Sequence, residues 1–117
     1  HMHNIAVMMN GKGEFDYCPI FDNGGALLTD TTMDYPLDQD ELLLMKEVHA
    51  KTISSDFDEQ LDASEHFYGR NLRFSFTKKD VERLLAKPEL NMYDMRIRTR
   101  VANIFYQQMN KYKYLFY

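Results

Sequence analysis

The chain has 117 residues, of which 44% are hydrophobic, and a formal net charge of −4 at neutral pH. This size and composition predict a single domain spanning residues 1–117 around one core. The sequence contains no apolar run near the ~18 residues that a membrane-spanning helix needs, and no secretory signal pattern. Cys18 is the only cysteine, which excludes an internal disulfide and favours a cytoplasmic location.

Charge is divided unevenly along the chain. Residues 1–69 carry three lysines against fourteen acidic residues, a net charge of −11, whereas residues 70–117 carry eleven basic residues against four acidic ones, a net charge of +7. Such asymmetry is compatible with a basic surface for a protein or nucleic-acid partner. We favour the alternative that the two halves neutralise each other across a shared interface, because the total charge is negative and no nucleic-acid-binding motif is present.

The first predicted element is a β-hairpin. Residues 4–9 and 14–21 have the composition of strands, and the Asn-Gly-Lys-Gly segment at 10–13 is a strong turn signal. Pro19 cannot donate a hydrogen bond to a ladder, so we expect it at a strand end or an edge. Residues 22–38 then form a loop whose length favours either a functional segment or disorder.

The rest of the chain, residues 38–117, has helical periodicity. Asp38 is the predicted cap of a first helix. Asp56 or Ser55 is the predicted cap of a second helix, which should end at Gly69.

A third helix and a fourth are predicted further along the chain. Thr77-Lys78-Lys79-Asp80 resembles a capping box and should begin a helix that Pro88 closes. Residues 72–76 alternate in polarity, which permits a short extended segment, and residues 92–113 have the longest helical pattern. The sequence therefore predicts a mainly α fold with a small N-terminal β-hairpin packed on the helices.

Two oxygen-bearing side chains flank the hairpin. Asn4 precedes the first strand, and Asp22 follows the apolar segment Pro19-Ile20-Phe21 and precedes Asn-Gly, a turn signal. A hairpin returns both of its ends to one place, and amide and carboxylate oxygens are ligands that Mg²⁺ accepts. The pattern predicts a magnesium site at Asn4 and Asp22. The alternative is that Asn4 satisfies a strand end and Asp22 caps an Asx-turn.

These motifs resemble a known family. The segment His3-Asn4-Ile5-Ala6-Val7, the hairpin, and Pro19 to Gly24 are similar to the C-terminal half of bacterial HipA-type toxin serine/threonine kinases of toxin–antitoxin systems. In that family an Asp-Arg-His-like segment leads into the Asn, and a Pro-x-Tyr/Phe-Asp segment follows the hairpin. The resemblance implies a kinase-like C-terminal lobe in which Asn4 and Asp22 bind Mg²⁺ and ATP. It covers residues 3–25 by motif and residues 38–117 by the expectation of a helical lobe.

The resemblance also implies parts that the sequence does not contain. The catalytic aspartate of the kinase pattern lies five residues before the Asn, which would be position −1 here, and the N-terminal lobe with its ATP-binding lysine is absent. His1-Met2 resembles a cloning remnant, so we expect a truncated or wrongly delimited gene. The isolated chain, with no catalytic residue of its own, should be inactive.

The expected partners follow partly from this resemblance and partly from the composition and charge of the sequence. They are the missing N-terminal kinase lobe, a second copy of the chain, and a protein substrate of the full-length parent, with no membrane and no nucleic acid. The alternative function is a non-enzymatic helical interaction module that binds a protein or nucleic acid through its basic C-terminal half.

Overall fold

The computed structural model describes residues 5–22, 24–49 and 54–117. These residues form a two-stranded antiparallel hairpin and four α-helices. In chain order the elements are β1 (Val7–Met9), β2 (Phe15–Tyr17), α1 (Glu41–Glu47), α2 (Phe57–Tyr68), α3 (Lys78–Leu85) and α4 (Met95–Lys111), with short 3₁₀ helices at Ala26–Leu28, Pro88–Met92 and Lys113–Leu115. The prediction of a mainly helical chain with a small N-terminal hairpin is confirmed. Within the described residues, no helix has the length and apolar character needed to cross a membrane.

The hairpin turn forms where the sequence predicts it. The side-chain Oδ1 of Asn10 accepts hydrogen bonds from the backbone N–H of Lys12 at 2.8 Å and of Glu14 at 3.1 Å. Gly13 has a φ of 80°, a conformation in which glycine avoids the steric cost of a side chain. Local side-chain and backbone geometry therefore fixes this turn.

The strands are shorter than the predicted ranges of 4–9 and 14–21. The ladder pairs Val7 with Tyr17 and Met9 with Phe15. One further backbone bond, from Cys18 N–H to Ala6 O at 2.9 Å, extends the pairing towards Pro19, which has no N–H to continue it.

The expectation that the hairpin packs on the helices is wrong for its strand residues. All six residues of β1 and β2 are exposed, including Phe15 at 71% and Tyr17 at 76%. Because side chains alternate between the two faces of a strand, exposure of every residue means that neither face of the hairpin is covered.

Helices α1 and α2 begin at aspartate caps. Asp56 accepts hydrogen bonds from the backbone N–H groups of the first turn of α2, and α2 ends at Gly69 with a φ of 76°, as predicted. The cap of α1 is Asp40, whose Oδ1 accepts from Leu42 N at 2.9 Å. The prediction of Asp38 as this cap is wrong by two residues, because the N–H groups that need an acceptor belong to the turn that starts at Glu41.

The predicted capping box of α3 is present. Thr77 Oγ1 accepts from the backbone N–H of Asp80, while the Asp80 carboxylate accepts from the backbone N–H of Thr77 at 2.8 Å. Helix α3 ends at Leu85, before Pro88. The segment 72–76 forms no strand, although Phe74 N–H donates to Leu115 O at 2.9 Å.

Helix α4 is the central element of the helical part. It begins after Asp94, whose carboxylate accepts from Arg96 N–H at 2.8 Å, so it is shorter than the predicted 92–113. It packs against α3 and against the 3₁₀ helix at Ala26–Leu28. A core cluster joins Ile104 of α4 to Leu28 and Leu44, all less than 10% exposed.

The C-terminal aromatic run packs against the segment before α3. The rings of Phe74, Phe76 and Phe116 lie 5.1–5.7 Å apart, and Leu115 beside them is 1% exposed. Aromatic contacts at these distances contribute about 0.5–1.5 kcal/mol per pair beyond burial. The chain end is therefore fastened to the helical part.

Candidate metal-binding site

Asp22 lies at the end of the hairpin segment in an unusual backbone conformation. Its φ is 57°, in the left-handed region, and its side chain is exposed. Aspartate is among the few non-glycine residues that this region tolerates, since its short polar side chain can interact locally. Asp22 therefore has a left-handed backbone conformation and is exposed to solvent.

Asn4, the second predicted magnesium ligand, lies outside the described residues. The described contact closest to it in sequence is the hydrogen bond from Cys18 N–H to Ala6 O at 2.9 Å. That bond places Ala6, which is two residues after Asn4, beside Cys18, which is four residues before Asp22. The two strands are thus paired up to the open end of the hairpin, from which the chain continues to Asp22.

The chain after Asp22 is tightly folded. Thr29 Oγ1 lies 2.8 Å from Gly24 O and 2.7 Å from Ala26 O, so its single hydroxyl proton is shared within one turn. Leu27 and Leu28 both have a φ of 58°, which is sterically unfavourable for leucine. Burial of Leu28, which is 6% exposed in the core cluster, opposes this cost.

A buried arginine holds the same loop against α4. Arg100 is 3% exposed, and its guanidinium donates to the backbone carbonyl oxygens of Tyr35 at 2.6 Å and Pro36 at 2.7 Å. It also donates to Leu28 O at 3.4 Å and Gln39 O at 3.3 Å. Carbonyl dipoles thus surround a buried charge, and the predicted loop at 22–38 is ordered from residue 24 onward.

Sequence analysis missed Arg100. The signal was its position in α4, three residues after Ile97 and four before Ile104, which places it on the apolar stripe of the helix. An arginine at such a position needs acceptors from another element, because a buried charge without hydrogen bonds is costly.

A second polar cluster links α2 to the end of α4. Asp58 accepts a hydrogen bond from Tyr112 Oη at 2.6 Å and pairs with Lys111 Nζ at 2.9 Å. Two hydrogen bonds lower the pKa of Asp58 below its ordinary value, and the one from Lys111 has a larger effect than the one from Tyr112. The same contact with Asp58 raises the pKa of Lys111, and burial raises the pKa of Tyr112.

The two halves of the chain meet through this cluster, since Asp58 belongs to the acidic half and Lys111 to the basic half. A further contact across the halves is the hydrogen bond from Asn103 Nδ2 to Glu41 Oε1 at 2.9 Å. Three other ion pairs lie within the basic half: Lys78–Glu82, Arg83–Asp80 and Arg96–Asp94. Part of the basic charge is therefore compensated locally rather than across an interface.

The described residues do not by themselves assemble a complete metal site. Across residues 5–22, 24–49 and 54–117, no group of three or more His, Cys, Asp or Glu side chains is arranged to hold a metal ion. Mg²⁺ usually takes only one or two protein ligands together with water and phosphate. Asp22 can therefore serve as one such ligand, with its companions coming from Asn4, water and a nucleotide.

No model of a known protein family matches the sequence, and no curated protein or solved structure shows significant similarity to the chain.

Proposed function

We propose that this chain is the metal-binding part of the C-terminal lobe of a HipA-like serine/threonine kinase. In the full-length parent, Asn4 and Asp22 would bind Mg²⁺ against the phosphates of ATP. The observation that carries the proposal is Asp22 itself, an exposed aspartate with a left-handed φ of 57° that lies five residues after the end of β2. Non-glycine residues in the left-handed region, which aspartate tolerates better than most, are frequent at functional sites.

The anchoring of the following loop supports this role. A metal ligand needs a fixed position, because Mg²⁺ demands near-ideal octahedral geometry. Arg100 fastens the loop through four backbone carbonyls, and Thr29 closes the turn that begins two residues after Asp22. The backbone that leads away from Asp22 is thus tied to the helical part.

The uncovered hairpin supports the proposed partner. Both faces of β1 and β2 are exposed, and an isolated two-stranded hairpin is at best marginally stable in water. We propose that the missing N-terminal kinase lobe covers this hairpin in the parent. The catalytic aspartate and the ATP-binding lysine would come from outside this chain, which should bind Mg-ATP weakly and transfer no phosphate to a protein substrate.

Paramagnetic Mn²⁺ tests the proposed site. Added with ATP to isotope-labelled protein, Mn²⁺ should selectively broaden the NMR signals of residues around Asp22. Asp22→Asn should abolish this broadening, since asparagine tolerates the same backbone conformation but lacks the charge. Asp16→Asn is the matched control, because Asp16 is an exposed carboxylate on β2. Equal broadening in wild type and Asp22→Asn would contradict the proposal.

One observation favours the alternative function, an interaction module that uses the basic half. The guanidinium of Arg70 lies 5.0 Å from the centroid of the Tyr117 ring, and that of Arg73 lies 5.1 Å from it. Exposed arginine and tyrosine side chains of this kind can bind an acidic protein or a nucleic-acid strand. Salt-dependent retention on DNA or on an acidic protein, unchanged by Asp22→Asn and lost in Arg70→Ala/Arg73→Ala, would support this function over the first.

A further inference from the structure

A cleft with a volume of about 670 Å³ lies between α1, the 3₁₀ helix that precedes it, the start of α2 and the second half of α4. Part of its lining belongs to the core, since Leu28 and Ile104 are both buried. Further apolar lining comes from Leu42, Val48 and Phe57, each about half exposed. The cleft therefore leaves apolar surface in water that a ligand could cover, and its volume is within the ~300–1,000 Å³ range of small-molecule sites.

The charge of the cleft is positive. Among the described residues that line it, two are charged, and both are lysines: Lys46 and Lys111. Lys111 Nζ is paired with Asp58 at 2.9 Å, so its charge is compensated. Lys46 is exposed on α1, and within the part of the chain that the structure describes it has no hydrogen bond or ion pair. Its flexible side chain can therefore turn the ammonium group towards an anion bound in the cleft.

The polar groups near Lys111 do not compete for such an anion. The hydroxyl of Tyr112, which also lines the cleft, donates its proton to Asp58 at 2.6 Å. Asp58 itself is not part of the lining and already accepts from both neighbours. Lys46 is therefore the uncompensated charge that a ligand in this cleft would meet.

We propose that this cleft binds a fatty acid, in which one apolar chain ends in one carboxylate. The chain would cover the apolar lining, and the carboxylate would pair with Lys46. A cavity of ~150 Å³ holds the six carbons of benzene, so the twelve carbons of dodecanoate need about 300 Å³, which the cleft exceeds. A polyanion fits less well, because its charged groups would lose water against apolar side chains without gaining donors. The proposal is independent of the kinase proposal, since it uses neither Asn4 nor Asp22.

Dodecanoate, added below its micelle-forming concentration, is the probe. Calorimetry and NMR should show saturable binding at one site, with the largest shifts at Met45, Val48 and Ile104, which line the cleft. Lys46→Gln should weaken binding about fivefold, since it removes the charge and keeps a polar side chain of similar shape. Lys79→Gln is the matched control, because Lys79 is an exposed lysine on α3 that does not line the cleft, and its loss should leave the affinity unchanged.

Further controls separate the charge from the apolar chain. Dodecyltrimethylammonium carries the same chain with a positive charge and should shift the cleft signals only at higher concentration than dodecanoate. Lys46→Glu should weaken dodecanoate binding more than Lys46→Gln does, because it adds a negative charge. The exposed hairpin is a competing apolar surface, which Phe15 reports. The proposal would be overturned by an absence of saturable binding, by the largest shifts falling at Phe15, by equal affinity for the two probes, or by equal dodecanoate affinity in wild type and a folded Lys46→Gln protein.

Discussion

Arg100 on α4 donates a hydrogen bond to the backbone carbonyl oxygen of Tyr35, 65 residues earlier in the chain, at 2.6 Å. This contact and three similar ones join the loop after the hairpin to the longest helix. Their removal should therefore affect more than one element.

The first prediction concerns this arginine. Arg100→Met should lower the free energy of unfolding by roughly 2–4 kcal/mol, because it leaves several buried carbonyl oxygens without donors. Urea unfolding followed by circular dichroism measures the change. Arg83→Met is the control, since Arg83 is exposed on α3 and should contribute little. A loss for Arg100→Met no larger than that of the control would show that the loop does not depend on this arginine.

The elements that the sequence predicted well are fixed by nearby residues. The turn at Asn10, the caps at Asp56 and Thr77, and the end of α2 at Gly69 all depend on hydrogen bonds or backbone conformations within about four positions. Their signals are accordingly present in short stretches of sequence.

The features that it missed depend on distant residues. The acceptors of Arg100 lie 61–72 positions away, so no local pattern reveals them. The exposure of the hairpin was missed because its apolar composition is typical of covered strands. At the candidate site, a turn after Asp22 was predicted from Asn-Gly, and residues 24 and 25 form one, whereas the anchoring of the following loop was not predicted.

The second prediction concerns pH and the Asp58 cluster. Contacts with Lys111 and Tyr112 hold the pKa of Asp58 below its ordinary value of 3.8, so the folded state favours the ionised carboxylate. The resulting stability is present above the unfolded-state pKa and is lost as the pH falls through the lower folded-state pKa. Because the Asp58 side chain is half exposed, we expect its contacts to add less than about 1 kcal/mol to the free energy of unfolding at neutral pH.

Urea unfolding of wild type and Asp58→Asn at a series of pH values tests whether the stability contributed by Asp58 is lost as the pH falls. The difference in stability should be constant near neutral pH and should shrink in acid, below the ordinary pKa of the group. High salt should also reduce it. A difference that grows as the pH falls would contradict the assignment.

The third prediction concerns the exposed hairpin. Apolar strand residues with no cover favour association with another copy of the chain, so light scattering should show dimers or larger species at high protein concentration. Phe15→Lys should shift the equilibrium towards the monomer. Met33→Lys is the matched control, since Met33 is an apolar residue with 79% exposure outside the hairpin. Equal effects of the two substitutions would exclude the hairpin as the contact surface.

The last prediction separates a structural role of Asp22 from a metal-binding role. Asp22→Val should lower stability by roughly 1–2 kcal/mol, because a β-branched side chain is strained at a φ of 57°. Asp22→Asn should leave stability almost unchanged, since asparagine tolerates this conformation and can also form an Asx-turn. If Asp22 only caps a turn, the asparagine variant will match wild type in every measurement. If Asp22 is a magnesium ligand, the asparagine variant will unfold at the same urea concentration as wild type and will lose the Mn²⁺-induced broadening. Measuring both properties on the same two variants therefore distinguishes the roles.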